Sequence, residues 1–208
     1  MTEAASLAGI DPLEFRLTHT KEPRLIRVLT TLRQEAGWQN RPSPASSAAA
    51  GGGAVVSGQG VSAMLRAGTY WACACQVTVD RSTGKVKVDR YTIVVEPGIV
   101  INPLQLKRQI QGGAIMGISH ALHEEMQFDE SGITSRDWRS YPIATMADVP
   151  DVKVVILNHP EVGRAGGGSE AANALAVSAI AGAFLDATGK TPRRMPLRPD
   201  YVKGLLRA

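Results

Sequence analysis

The sequence predicts an α+β fold. Two runs rich in β-forming residues, Thr69 to Asp80 and Val86 to Val95, flank a short polar connection, which is the pattern of a β-hairpin. Two longer segments, Leu104 to Glu125 and Ala171 to Ala187, have the length and apolar pattern of helices. A further apolar β-forming run, Val152 to Leu157, lies between them. Strands and helices are therefore mixed along one chain.

The N-terminal part of the chain predicts a helix with one apolar face. After a turn at Gly9 to Pro12, leucine and valine recur at i, i+3, i+4 and i+7 within Pro23 to Ala36, and Gly37 is placed to end the helix. Side chains at this spacing share one side of a helix. We expect that side to pack against another element.

A low-complexity stretch divides the chain into two parts. Residues 42–53 read PSPASSAAAGGG, a composition that is too poor in large apolar residues to build a core and is typical of a flexible linker. The sequence thus predicts an N-terminal helical segment over residues 1–41 and an α+β domain over residues 54–208.

Composition excludes several classes of protein. Hydrophobic residues make up 44% and charged residues 20% of the 208 residues, as in globular chains. The formal net charge is +4, and much of the excess lies in the tail from Lys190 to Arg207. Aromatic residues make up only 5% of the chain and form no interleaved stacking platform, so we expect no nucleic-acid partner and interpret the tail as solvated or subunit-facing.

The sequence also bears on targeting to membranes and on the role of the two cysteines. The first residues lack the basic and apolar regions of a signal peptide, and no apolar run approaches the length of about 18 residues that a membrane span needs. We expect no membrane span and a cytoplasmic location, with periplasmic co-export on a partner left open.

Cys73 and Cys75 lack a second pair at ligand spacing and are expected to be small buried hydrophobes.

The helix predicted from Leu104 to Glu125 has unusual small residues. Gly113, Gly117 and Ala121 recur at i, i+4 and i+8 and give the helix a flat side against which another backbone can pack. Glycine within a helix costs about 1 kcal/mol relative to alanine, so it implies close packing or a ligand. Gln109 near the helix start is either an exposed amide or a ligand contact. The histidines of this helix have no third ligand at suitable spacing, so we predict no metal site in it.

A glycine-rich turn that ends in Glu170 connects the strand Val152 to Leu157 with an uncharged, alanine-rich helix. Three interpretations are open. Glu170 can satisfy the positive end of the helix, or it can enter the interior with the helix, where burial raises its pKa and suits a general base. The turn can also cradle phosphate, although a glutamate repels an anion and no P-loop or GxGxxG motif is present.

Four stretches taken together resemble one family. They comprise a turn and helix near the N-terminus, an Asn-Pro turn leading into the glutamine-containing helix, a Tyr-Pro segment before the third strand, and the glycine turn with its helix. Their residues are Gly9 to Arg16 with Ala36 to Trp38; Val100 to Pro103 with Gln109 to Gly117; Tyr141 to Ile143 with Asp148 to Pro150; and Gly166 to Glu170 through Lys190. In this order they resemble the C-terminal portion of the molybdopterin-binding large subunit of the xanthine dehydrogenase and aldehyde oxidase family. The likeness is nearest to the isoquinoline oxidoreductase and nicotinate dehydrogenase branch.

This resemblance implies a molybdenum hydroxylase that inserts a water-derived oxygen into a C–H bond of an aldehyde or N-heterocycle. It implies that Glu170 is the general base, that Gln109 approaches the molybdenum end of the cofactor, and that Gly167, Gly168 and Ser169 lie near it. It further implies a molybdenum-molybdopterin cofactor, plausibly in its cytosine dinucleotide form, shared with a larger molybdopterin-binding subunit. The 2Fe-2S clusters are expected in a separate iron-sulfur subunit, because this chain lacks their ligands.

Two positions depart from the family pattern. Ser169 stands where the family usually has glycine, and Gln111 stands where it usually has glutamate. The chain also corresponds only to the end of a longer subunit, as a split subunit or as a fragment. The alternative is therefore a non-catalytic assembly or interaction module related to the family. A stand-alone nucleotide-binding protein is disfavoured, since the phosphate-binding fingerprint is missing.

Overall fold

The computed structural model describes residues 1–45 and 53–207. In chain order, the described helices are α1 (Thr2–Leu7), α2 (Pro12–Thr18), α3 (Pro23–Glu35), α4 (Pro103–Leu122), α5 (Ala171–Thr188) and α6 (Pro199–Arg207). The described strands are β1 (Val55–Arg66), β2 (Thr69–Asp80), β3 (Val86–Gly98), β4 (Phe128–Asp129), β5 (Gly132–Ile133) and β6 (Asp151–Asn158). A short 3-10 helix spans Pro160–Val162. The expected α+β class is confirmed.

Four strands form the central sheet, in the order β1-β2-β3-β6. The first three strands are antiparallel neighbours, whereas β6 pairs in parallel with β3. Parallel pairing needs a crossover between the strands. Here α4 provides that crossover, so the N-terminal end of α4 and the C-terminal ends of β3 and β6 lie at the same end of the sheet.

The two faces of the sheet bury separate apolar clusters. Helices α4 and α5 cover one face and enclose large side chains such as Trp71, Tyr91 and Phe184. On the other face, Leu13 of α2 and the apolar stripe of α3 cover Val61 and Val94. The amphipathic helix predicted over Pro23 to Ala36 thus ends at Glu35 and packs on the sheet as expected.

Helix α5 lies unusually close to β1. A Cβ added at Gly60 would stand 2.0 Å from the carbonyl oxygen of Ala179, and one at Gly58 would stand 2.3 Å from that of Ala183. Glycine at both positions therefore lets the backbones of helix and strand meet. Strand β1 was not predicted from the sequence, because glycine and serine within a strand are also typical of a loop.

Several sequence predictions are confirmed, and the interpretation of the basic tail needs correction. The hairpin between β2 and β3 is present, and Cys73 and Cys75 are buried and free. The basic tail does not stay in solvent as a whole, since it includes α6, whose Val202 is fully buried. Residues 46–52 of the predicted linker lie outside the described residues, and the domain boundaries stay a prediction.

The expectation that no segment reaches the length of a membrane span is wrong. Helix α5 is long and apolar enough to cross a membrane, with a mean hydropathy of 1.4 over 18 residues. However, 72% of that stretch is buried inside the protein. Its apolar character is therefore explained by its place between α4 and the sheet, as for the core helix of a globular protein.

The glycines of α4 give a matched test of close helix packing. A Cβ at Gly117 would stand 2.3 Å from the Asn173 carbonyl oxygen of α5, whereas one at Gly112 has nothing within 4 Å. We expect Gly117→Ala to lower the free energy of unfolding by about 1–3 kcal/mol through overpacking. The control Gly112→Ala should raise it by up to about 1 kcal/mol through helix propensity. Urea denaturation of both variants measures the difference, and equal stabilities would contradict this packing.

Candidate functional site

The glycine turn runs from the 3-10 helix to α5 along the C-terminal end of β3. The Ile99 amide donates to the Arg164 carbonyl oxygen at 3.0 Å, and the Gly166 amide donates to the Pro97 carbonyl oxygen at 2.6 Å. Two hydrogen bonds join Gly167 to the β1–β2 connection and to the first residue of β2. Its amide donates to the Ala67 carbonyl at 2.9 Å, and its own carbonyl accepts from Thr69 Oγ1 at 2.6 Å. The sheet therefore fixes the path of the turn.

The turn has three consecutive glycines because the protein itself occupies the space that their side chains would need. Added Cβ atoms at Gly166, Gly167 and Gly168 would stand 2.4 Å from Thr69 Oγ1, 2.8 Å from Ala67 Cβ and 2.6 Å from Leu106 Cδ1. From the sequence, a close approach by a ligand from outside was a possible reason for the glycines. The structure instead shows that they let the turn lie flat against the sheet and α4.

Glu170 stands at the N-terminal end of α5 with its carboxylate in solvent. Its side chain is 66% exposed, and Arg66 Nη2 lies 3.5 Å from Oε1. A hydrogen bond from the Ser169 hydroxyl, its own backbone amide and Arg66 hold the pKa of Glu170 below its ordinary value. The expectation that Glu170 is buried with the helix and has a raised pKa is therefore wrong for this chain by itself. The helix is apolar, but Glu170, which immediately precedes its first residue, faces outward.

Gln109 connects α4 to the glycine turn. Its Nε2 donates to the Ser169 carbonyl oxygen at 2.9 Å, so two residues that the sequence assigned to one site are in direct contact. Gln111 does not join them, because its amide donates at 3.2 Å to the Val152 carbonyl of β6. Gln109, Ser169 and Glu170 thus form one exposed polar cluster, which we call the turn cluster. Gly167 and Gly168 precede Ser169 in the turn and pack against Ala67 and Leu106.

Large apolar side chains lie exposed on the elements that meet at the turn cluster. Leu65 near the end of β1 is 57% exposed, Ile101 before α4 is 81% exposed, and Leu104 in its first turn is 57% exposed. Exposed apolar surface beside polar groups is typical of an interface or a ligand site. A carboxylate and an amide beside apolar surface are groups that can contact a ligand with both polar and apolar parts.

A buried ionic network that the sequence patterns did not predict lies beneath the turn. Glu96 of β3 has no exposed surface, and its Oε1 accepts from Arg24 Nε of α3 at 2.5 Å and lies 3.0 Å from His159 Nδ1. Arg24 also donates to the carbonyl oxygens of Glu96 and of Gly68, which contacts the turn. A carboxylate that directly follows the apolar run of β3 was the available signal, because a buried charge requires a partner.

A match to a known family decides how this site is interpreted. Residues 56–150 match the molybdopterin cofactor-binding domain. A nicotinate dehydrogenase subunit from Pseudomonas putida is 35% identical over 98% of this chain. The isoquinoline 1-oxidoreductase beta subunit from Brevundimonas diminuta is 31% identical over 97% of this chain. The chain belongs to the molybdopterin cofactor-binding domain family. The resemblance that the sequence motifs carried is thereby confirmed at the level of the family.

Solved structures of the family share the fold. Quinoline 2-oxidoreductase from Pseudomonas putida 86 superimposes with a TM-score of 0.63 and 28% identity over 67% of this chain. The aldehyde oxidoreductase from Desulfovibrio gigas does so with a TM-score of 0.60 and 30% identity, also over 67%. The chain spans only 18% of the nicotinate dehydrogenase subunit and 25% of the isoquinoline oxidoreductase subunit. The molybdopterin domain described here is thus a small part of what those relatives contain.

The described side chains of the molybdopterin domain form no metal site of their own. Within residues 1–45 and 53–207, His, Cys, Asp and Glu side chains form no group of three that could hold a metal ion.

The buried network gives a stability prediction with a matched control. Glu96→Gln keeps the size of the side chain but leaves the Arg24 guanidinium without its carboxylate, so we expect the free energy of unfolding to fall by about 3–5 kcal/mol. Glu35→Gln removes a carboxylate that pairs with Lys153 at 2.7 Å at the surface, and it should cost at most about 1 kcal/mol. Guanidinium denaturation of both variants tests this, and similar losses would show that the buried pair stabilises the fold no more than the surface pair.

Proposed function

We propose that this chain forms one wall of the molybdenum-cofactor pocket of a molybdenum hydroxylase that oxidises an aldehyde or an N-heterocycle. The observation that supports it most directly is the turn cluster, in which Gln109 contacts the residue before Glu170 on an exposed face flanked by apolar side chains. Such a face suits a pocket that is completed by other parts of the enzyme.

The predicted site residues have separate roles in this proposal. Gln109 fixes the turn by its hydrogen bond to Ser169 and presents the rest of its amide to the cofactor. Gly167 and Gly168 let the turn pack closely against the sheet and α4, which would leave room for the cofactor on the outer side of the turn. Glu170 is the general base, which accepts a proton when the substrate is oxidised. When bound, the molybdenum cofactor supplies the two-electron redox chemistry by which water-derived oxygen enters a C–H bond.

The exposure of Glu170 is compatible with this role only if assembly changes its surroundings. Burial under the opposite wall would remove water from the carboxylate and raise its pKa, which opposes the lowering by Ser169 and Arg66. A base is most effective when its pKa lies near the working pH. Covering the site would therefore move Glu170 toward an effective base.

The remaining parts of the enzyme are also proposed. The nicotinate dehydrogenase and isoquinoline oxidoreductase relatives of the molybdopterin domain are named as subunits. We place the rest of the molybdopterin-binding subunit opposite the turn cluster and the 2Fe-2S clusters in an iron-sulfur subunit, which removes the electrons. The cofactor is proposed in its cytosine dinucleotide form, and the complex in the cytoplasm. Substrates of the class of nicotinate, isoquinoline, quinoline or an aldehyde accord with the names of the relatives.

A non-catalytic assembly module is the second candidate. Two observations favour it: Glu170 has a lowered pKa in this chain, and Ser169 replaces the family's usual glycine. The two candidates differ in whether the chain stays in the mature enzyme. A catalytic wall co-purifies with molybdenum and iron-sulfur absorbance at equal stoichiometry, whereas an assembly module is released before the enzyme is active.

Replacing the proposed base tests the catalytic role. We expect Glu170→Gln in the assembled enzyme to lower kcat by about 10²–10⁴-fold, because general-base catalysis contributes about that much. Molybdenum content should stay at the wild-type level, since the amide keeps the shape of the side chain. Steady-state kinetics and metal analysis measure the two effects.

Glu161→Gln is the matched control for this experiment. Glu161 is 76% exposed on the neighbouring 3-10 helix and lies outside the turn cluster, so its substitution should leave kcat unchanged. Wild-type turnover in the Glu170 variant would refute the assignment of the base. A loss of molybdenum in that variant would instead assign Glu170 to cofactor binding.

The serine before the base gives a prediction in pH. The Ser169 hydroxyl is the foremost cause of the lowered pKa of Glu170, so Ser169→Gly should raise that pKa. A base with a higher pKa needs a higher pH to lose its proton. We therefore expect the acidic limb of the profile of kcat/KM against pH to move to higher pH. An unmoved limb would show that a different group governs it.

A further inference from the structure

The segment between α4 and β6 presents an unusual number of large apolar side chains to solvent. We call residues 124–150 the arm. Its exposed apolar residues, with their exposed fractions, are Met126 55%, Phe128 78%, Ile133 51%, Trp138 74%, Ile143 46% and Met146 87%. Clusters of this kind on a globular protein mark interaction sites. None of these side chains belongs to either apolar cluster of the sheet.

The backbone of the arm is nevertheless ordered by polar contacts of its own. Strands β4 and β5 pair through a tight turn, and Asp137 accepts hydrogen bonds from the amide and the hydroxyl of Ser140, both at 2.8 Å. The Tyr141 hydroxyl donates to Glu124 at 2.9 Å, and the Ala144 amide donates to Ser119 Oγ of α4 at 2.9 Å. The arm is therefore held in place while its apolar side chains stay uncovered. A surface arranged in this way binds at a lower entropic cost than a flexible one.

A groove lies at the base of the arm. It has a volume of about 600 Å³ and lies between the β2–β3 hairpin, the C-terminal end of α4, the last residues of the arm and the segment before α6. Its buried apolar lining includes Val88, Leu122 and Leu197. His123 also lines it, and His123 Nε2 is buried with no hydrogen-bond partner among the described residues.

We propose that the arm and this groove are the docking surface for the part of the family's molybdopterin-binding subunit that this chain does not contain. The size of that part supports the choice of occupant, because the chain spans only 18% and 25% of two relatives to which nearly all of it aligns. The inference rests on the proposed function only in assuming that such a part is present in the enzyme.

The docking surface is distinct from the turn cluster. The arm leaves the C-terminal end of α4, whereas Gln109 lies near its N-terminal end, and a helix of 20 residues is about 30 Å long. The occupant contacts the chain at both ends of α4 if it also forms the opposite wall of the cofactor pocket. It presents apolar side chains to Phe128 and Trp138 of the arm.

Hydroxyl-radical footprinting with mass spectrometry tests the docking surface. The chain of residues 1–208 is compared with the assembled enzyme, and rates are normalised to an added reporter peptide. We expect the rates at Phe128, Trp138 and Met146 to be about tenfold lower in the enzyme, as for side chains at the centre of an interface. Equal rates in the two samples would overturn the proposal. Protection that appears in the chain alone as its concentration rises would identify a second copy as the occupant and would also overturn it.

A double variant separates docking from folding. Phe128→Ser with Trp138→Ser should leave the thermal midpoint of the chain alone unchanged, because both side chains are exposed, but should return Met146 in the enzyme to the rate of the free chain. Leu7→Ser is the matched control, since Leu7 is 91% exposed on α1, and it should leave Met146 protected. Continued protection in the double variant would overturn the proposal. The readout does not involve turnover, so a fully active Glu170→Gln enzyme with a protected arm would refute the catalytic assignment alone.

Discussion

The fold depends above all on the close approach of α5 to its neighbours. Carbonyl oxygens of α5 face Gly58 and Gly60 of β1 on one side and Gly117 of α4 on the other, at positions where a Cβ would stand 2.0–2.3 Å away. Because a Cβ would overlap the carbonyl oxygens, these positions accept no side chain, and the close backbone packing leaves little room for the helix to shift or rotate. The alanine-rich sequence of α5 has the same cause, because larger side chains would separate the three elements.

This constraint also determines where the candidate site lies. Because α5 is fixed between the sheet and α4, its N-cap residue, Glu170, has a fixed position relative to Gln109 on α4. The glycine turn then follows the end of β3 by backbone hydrogen bonds, and Glu96, Arg24 and His159 hold the strand end beneath it. The turn cluster is thus built on helices and a sheet, although its residues belong to a loop and to helix ends.

The sequence predicted the main elements because their patterns were local. The β2–β3 hairpin and the stripe of α3 could be recognised from spacing alone, and the family resemblance assigned Gln109, Ser169 and Glu170 to one site. Strand β1 escaped prediction because its glycines fit α5, which lies more than a hundred residues away in the sequence. The exposure of Glu170 could not be predicted either, since the apolar character of α5 does not determine the direction of the residue that precedes the helix. The same holds for Glu96, whose partners come from distant segments.

The ion pair between Arg24 and Glu96 has a consequence for how the chain can be divided. Arg24 belongs to the N-terminal helices, whereas Glu96 lies in the middle of the α+β part. A shortened protein that starts after residue 53 would keep the carboxylate in its apolar surroundings and lose the guanidinium. The carboxylate would then keep only His159 as its partner, and the loss of the guanidinium would loosen the strand end on which the glycine turn rests. The smallest unit suitable for expression therefore includes α3.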